Sequence, residues 1–152
     1  MRITIAVVGR MRAGPERDLQ NHYAGRLRWP LDICEVEERR KLAPGKLIQR
    51  EGELLTAVYP KGTMRIALDG TGKQLTSVQL ARRLGDWQDD GIGDVAFVIG
   101  GADGLDGSLL KQADLILSLG AMTWPRLLVR GMLLEQLYRA QQILSNHPYH
   151  RE

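Results

Sequence analysis

The stretch Val95-Ala96-Phe97-Val98-Ile99-Gly100-Gly101-Ala102-Asp103-Gly104 decides the fold class. Its first half is uninterruptedly apolar and rich in β-branched and aromatic residues, the composition of a strand covered on both faces. Its second half is glycine-rich, so the strand stops abruptly and leaves backbone that other groups can approach closely. A strand buried on both sides needs helices above and below it, and the flanking sequence supplies them in alternation.

Toward the N-terminus, Ser77 is expected to cap a helix whose inner face holds Leu80, Ala81, Leu84 and Trp87. Before it, residues 64–69 read as a strand followed by the turn Gly70-Thr71-Gly72-Lys73. Leu47, Glu51, Leu54 and Val58 keep helical spacing, with Gly52 weakening that helix. Residues 33–36 read as a weaker edge strand, Gly14-Pro15-Glu16 opens a helix with Leu19, Tyr23 and Leu27 on one face, and residues 2–8 form another apolar strand. Toward the C-terminus, a short helix at 108–113 precedes a strand at 115–119. A loop at 120–124 then leads to Pro125 and a long helix ending near Leu144. The apolar face of that helix includes Val129, Met132, Leu133, Leu137, Tyr138 and Ile143, and Glu135 with Arg139 makes an i,i+4 pair. Five strands alternating with helices predict an α/β fold with a mainly parallel sheet covered by helices, and the length of 152 residues fits a single domain over 1–152.

Composition narrows the class. A hydrophobic fraction of 43% and a charged fraction of 26% exclude disordered and fibrous chains. No apolar run approaches the roughly 20 residues of a membrane span, and no cleavable leader is read at the N-terminus. Cys34 stands alone, which excludes an internal disulfide framework and a multi-cysteine zinc site; the expected location is the cytoplasm. Net charge is +3, with a local excess of +4 over residues 1–30 and of +2 from residue 116 onward, so positive charge gathers at both ends. Arginine outnumbers lysine sixteen to five, which suits bidentate phosphate contacts, although codon bias in a GC-rich genome produces the same ratio.

In parallel sheets ligands bind beyond the carboxyl ends of the strands. Three loops occupy that position, after Leu68-Asp69, after Ile99 and after Leu119. The glycine loop at 100–107 has neither the spacing of a dinucleotide fingerprint, nor the Lys-Ser or Lys-Thr of a P-loop, nor the ligand ladder of an EF-hand. A tight turn without a ligand and a backbone cradle for one are both consistent with it. Leu119-Gly120-Ala121-Met122-Thr123-Trp124 is mostly apolar, so either core, a flat heterocycle or another subunit covers it. No nucleophile–base pair and no metal set stand out, since His147 and His150 have no third ligand at useful spacing.

Two of the three histidines lie in the closing heptapeptide Asn146-His147-Pro148-Tyr149-His150-Arg151-Glu152. It combines a proton-transfer group, a stacking ring and a planar cation where chain ends are ordinarily loose and inert. This heptapeptide, with Phe97-Val98-Ile99-Gly100-Gly101-Ala102-Asp103-Gly104-Leu105, Leu117-Ser118-Leu119-Gly120-Ala121-Met122-Thr123, Leu128-Val129-Arg130 and Glu135-Gln136-Leu137-Tyr138-Arg139-Ala140, resembles the RlmH (YbeA-like) family of SPOUT-superfamily methyltransferases along essentially the whole chain. Weaker support comes from residues 3–9 and from Ile66-Ala67-Leu68-Asp69.

The resemblance implies a C-terminal trefoil knot, an obligate homodimer, and methylation of N3 of a pseudouridine in 23S ribosomal RNA on the assembled ribosome. It implies S-adenosylmethionine as methyl donor, held at Leu68, Gly100, Leu119, Gly120, Ala121, Met122, Thr123 and Trp124, and no metal. Ala102-Asp103 and Gly120 depart from the Pro-Glu and serine of other members, changes that backbone-mediated contact tolerates. His150 is the expected proton acceptor, Tyr149 is expected to stack on or orient the base, and Arg151 and Arg130 to hold phosphate. Two rival readings are a non-catalytic ribosome-binding or assembly factor on the same fold and a doubly wound oxidoreductase, the latter opposed by the missing glycine spacing.

Overall fold

A computed structural model describes residues 1–151. Five strands, β1 (Arg2–Val8), β2 (Leu31–Val36), β3 (Met64–Lys73), β4 (Asp94–Ile99) and β5 (Leu115–Leu117), alternate with five helices. The helices are α1 (Pro15–Ala24), α2 (Pro44–Thr56), α3 (Ser77–Asp89), α4 (Gly107–Gln112) and α5 (Arg126–Leu144). The sheet order is β2-β1-β4-β3-β5 and every pairing is parallel. β4, the strand read first in the sequence, is the central one, and residues 95–99 of it are buried.

The alternation of side chains along the strands divides the core in two. Ile3, Ile5 and Val7 with Val95, Phe97 and Ile99 join the larger core, to which α3 contributes Leu80 and Leu84 and α5 contributes Leu133, Leu134 and Leu137. Ala6, Val8, Ala67 and Val98 face the opposite side, against Leu55 of α2 and Leu109 of α4. α5 packs against both α1 and α3. Its approach to α1 depends on Gly131, where a Cβ would sit 2.6 Å from Leu19 Cδ2.

Four local expectations are corrected. The cap of α3 is Thr76, not Ser77: Thr76 Oγ1 accepts from the Gln79 amide at 3.1 Å while Gln79 Oε1 accepts from the Thr76 amide at 2.8 Å, a reciprocal capping box. Ser77 instead donates to Gln136 Oε1 of α5 at 2.7 Å. The residues read as a turn after Asp69 belong to β3, which bulges so that Leu68 and Lys73 both register with Leu117. The fifth strand is shorter than expected, ending at Leu117. The buried face of α5 holds Arg130, Gly131, Leu134, Ala140 and Gln141 besides Val129, Leu133 and Leu137, whereas Met132, Tyr138 and Ile143 are half-buried.

Candidate active site

Three strand ends and the start of α5 enclose a cavity of about 540 Å³. Leu68 comes from β3, Gly100 follows β4, and Leu119, Gly120, Ala121, Met122, Thr123 and Trp124 follow β5; all eight line this one space. The lining also includes Asp69, Gly101, Gly104 and Arg126, none of which was singled out as a site residue from the sequence.

The glycine loop owes its shape to crowding. A Cβ on Gly100 would lie 2.7 Å from the backbone of Gly104, so only glycine lets the chain fold back there. The Gly104 amide donates to the Gly101 carbonyl at 3.1 Å, and Gly104 itself has φ of 84°. Gly120, with φ of 111°, turns the chain out of β5. Beyond it, Trp124 Nε1 donates to the Leu119 carbonyl at 3.2 Å and ties the loop back on itself. Met122 remains 70% exposed, which leaves an apolar rim on the cavity.

The closing segment lies elsewhere. None of residues 146–151 lines the strand-end cavity; Tyr149 and His150 fold back onto α5. Tyr149 Oη donates to Glu135 Oε1 at 3.0 Å, and its ring packs edge-on against Tyr138 with centroids 4.8 Å apart. The Arg139 guanidinium sits 4.9 Å above the Tyr149 ring, donates to Glu135 at 2.6 Å, and meets His150 Nδ1 at 3.2 Å. Burial first, then contacts with Tyr23 and Glu135, push the Tyr149 phenol up to about 12, so it stays protonated near neutrality. An arginine can only donate, so His150 Nδ1 accepts, and a neutral ring then carries its proton on Nε2, which is buried without a partner. Arg151 is exposed, and Glu152 lies outside the described residues. Glu135 also borders a second hollow, lined by Leu19 and Tyr23 of α1, that shares Leu117, Leu119 and Gly120 with the first.

Arg130 departs from the phosphate contact expected of it. It is 1% exposed, with Nη1 on Glu35 Oε2 at 2.7 Å and Nη2 on the Gly9 carbonyl at 2.7 Å. Burial raises the Glu35 carboxyl, but hydrogen bonds from Arg130 and the Met11 amide, with the charges of Arg130 and Arg10, outweigh it and leave the group below its ordinary range. The guanidinium is therefore a structural tie between α5, β1 and β2, with no face left for RNA. A charge inside the apolar stripe of a long helix was the available signal.

Glu51 is the residue sequence reasoning passed over, although it was read at an apolar position of its helix. It is 8% exposed, and its carboxylate oxygens stand 2.9 and 3.1 Å from the point where a Cβ on Gly101 would be. Among the described residues no cluster of three or more His, Cys, Asp or Glu is placed to hold a metal, and no helix is long and apolar enough to cross a membrane.

Fold and cavity together define a class: an all-parallel α/β protein with a ligand-sized hollow beyond the carboxyl ends of its strands. Comparison with known proteins narrows it. Residues 1–150 match the family described as predicted SPOUT methyltransferase. The chain is 56% identical over 151 residues to the ribosomal RNA large subunit methyltransferase H of Rhodospirillum centenum, covering 99% of each chain. It is 54% identical over 151 residues to the protein of that name from Paramagnetospirillum magneticum, again covering 99% of each. A solved structure described as a probable methylase family protein from Haemophilus influenzae shares the fold, with a TM-score of 0.61 at 13% identity over 99% of this chain and 70% of that one. The chain belongs to the SPOUT methyltransferase family, within its ribosomal RNA large subunit methyltransferase H group.

Proposed function

We propose that this chain is a single SPOUT domain that transfers a methyl group from S-adenosylmethionine to N3 of a pseudouridine in 23S ribosomal RNA, in the cytoplasm and on the assembled ribosome. The observation that carries the reading is the convergence of all eight expected donor-binding residues on one cavity of about 540 Å³, a size suited to a nucleoside-sized ligand. Relatives 50–56% identical over 151 residues are named ribosomal RNA large subunit methyltransferases, which supports the substrate class.

The residues fit the donor. The backbone at Gly100, Gly101 and Gly104 is bare of side chains, and Leu68, Leu119, Met122 and Trp124 provide apolar walls for a flat base. When bound, the donor supplies an activated methyl group: the new N3–carbon bond forms as the carbon–sulfur bond breaks, and sulfur keeps that electron pair as a neutral thioether. The chain's own work is alignment, exclusion of water and removal of the N3 proton. Tyr149, protonated near neutrality, serves as a hydrogen-bond donor or stacking surface rather than as a base. His150 accepts the N3 proton only if Arg139 first releases its Nδ1, so the tail lifts from α5 before reaction. Exposed Arg151 holds a phosphate, the part earlier given to Arg130 as well. The C-terminal trefoil knot belongs to the same reading; β3 and β5 pair in parallel so closely that a Cβ on Gly72 would lie 2.5 Å from the Ile116 backbone.

Because the tail and the donor cavity are separate within one chain, a second copy presenting its tail to the first copy's cavity explains both features. The exposed Met122, Trp124 and Leu127 provide an apolar surface for that homodimer.

Removing residues 147–152 is the test. Calorimetry should show S-adenosylhomocysteine binding unchanged, while methyl incorporation into ribosomes from a strain lacking the enzyme is lost. Mass mapping of the methylated nucleotide identifies the acceptor. Full activity without the tail refutes its catalytic role, and absence of donor binding in the intact chain favours a non-catalytic ribosome-binding factor.

A further inference from the structure

The carboxylate of Glu51 is buried on α2 directly behind the glycine loop. Among the described residues it makes no ion pair and accepts no hydrogen bond, and although the residue is 8% exposed its oxygens keep some contact with solvent. Its position is set by the missing side chain of Gly101: both carboxylate oxygens and Val8 Cγ1 lie within 3.2 Å of where that Cβ would be. Gly101 lines the strand-end cavity, so one thickness of backbone separates the carboxylate from the space a ligand would fill. The neighbouring residue of α2, Gly52, packs in the same way on Asp106, where a Cβ would be 3.3 Å from that residue's Cβ. The helix is thus seated on the 100–106 loop with its acid aimed at the loop's barest point.

A largely buried carboxylate without a cationic partner in contact opposes folding, and an amide would fill the same volume at lower cost. Its placement makes sense if the charge acts on the ligand. The charged side chains lining the cavity are Asp69 and Arg126, and Asp69 is already engaged by the amide and hydroxyl of Thr71. S-adenosylmethionine carries a sulfonium charge that disappears on methyl transfer; the product differs from it by one methyl group and that one positive charge. We infer that Glu51 is a specificity-determining residue that favours the cationic methyl donor over its neutral demethylated product, through the bare backbone of Gly101. This rests on the donor reading of the cavity given above.

Magnitude supports the assignment. Opposite unit charges about 10 Å apart at an effective dielectric constant of about 20 shift a binding constant roughly tenfold.

Calorimetry with S-adenosylmethionine and S-adenosylhomocysteine on the wild type, Glu51→Gln and Glu51→Asp tests it. For Glu51→Gln, donor affinity should fall roughly five- to tenfold while product affinity stays within about twofold; Glu51→Asp, which keeps the charge, should keep the wild-type ratio of the two affinities. Thermal unfolding of the ligand-free variants, with Glu51→Gln melting no lower than wild type, separates this effect from damage to the fold. An equal change in both affinities, or none in either, overturns the inference while leaving the donor reading intact. Failure of the wild type to bind either molecule overturns both.

Discussion

Arg130 and Glu51 are both buried ionisable side chains, but only the arginine has a partner, and the two respond oppositely to substitution. Arg130→Met leaves Glu35 with the Met11 amide but no counter-charge and the Gly9 carbonyl without its donor, and is expected to destabilise the protein by about 2–4 kcal/mol at pH 7 in urea denaturation. The Glu35 pKa is lowered on folding, so its stabilisation is present above the unfolded value of about 4.3 and disappears as pH falls through the lower folded value. The difference between wild type and variant should therefore shrink below about pH 4. Glu51 has the opposite sign. Burial, and then the Asp103 charge, raise its pKa, with Arg126 at the start of α5 opposing them. A raised folded pKa means its contribution is intact below the unfolded value and is lost as pH rises through the folded one. Glu51→Gln should consequently melt above wild type at pH 7, by about 2–4 °C for each kcal/mol recovered, with the gap closing toward pH 4. A gap independent of pH would show that packing, not charge, is responsible.

At the scale of elements, the parallel pairing of β3 with β5 sets Leu68 beside Leu117 in the cavity lining, and Gly72 is where the two strands approach most closely. Gly72→Ala places a methyl group 2.5 Å from the Ile116 backbone, which cannot rotate away as a side chain would. The expected result is a loss of about 1–3 kcal/mol in chemical denaturation, with weakened donor binding because Leu68 and Leu117 shift together. The same pairing explains why the end of β3 reads as a turn in the sequence. Gly70-Thr71-Gly72-Lys73 has the composition of a turn, and local propensity has no knowledge of a partner strand more than 40 residues away. By contrast, β1 and β4 were legible because strands covered on both faces are written as continuous apolar runs. α5 was legible in length but not in orientation. Covered by α1, α3 and the sheet, it buries residues around most of its circumference, and periodicity weakens when there is no single apolar face.

At the scale of the whole molecule, the proposed homodimer, in which one chain's tail serves its partner's cavity, can be tested directly. The protein in solution should have twice the 17.0 kDa mass of one chain by light scattering. Substituting Met122 and Leu127 with aspartate should produce monomers that no longer methylate ribosomes. Mixing a variant that lacks residues 147–152 with a Gly100→Val variant should restore one of the two sites in each mixed dimer, since each partner supplies what the other lacks. Recovery of no activity in verified mixed dimers would place tail and cavity in the same chain.

The amino-acid sequence by itself determined the alternation of strands and helices, the central strand, the glycine loop and the family, because apolar periodicity, glycine and proline placement and short motifs act over a few residues. It also marked the eight residues that converge on the cavity. Only the tertiary structure decided what the charges do. Arg130 became a buried tie because Glu35, 95 residues earlier, faces it across the edge of the sheet. Glu51 came to stand behind the cavity because α2 lies on a loop some 50 residues further along the chain. The tail was turned onto Glu135 and Arg139 by contacts spanning a full turn of α5 and beyond. The energy of a charge depends on its burial and its partner, both of which are properties of packing in three dimensions.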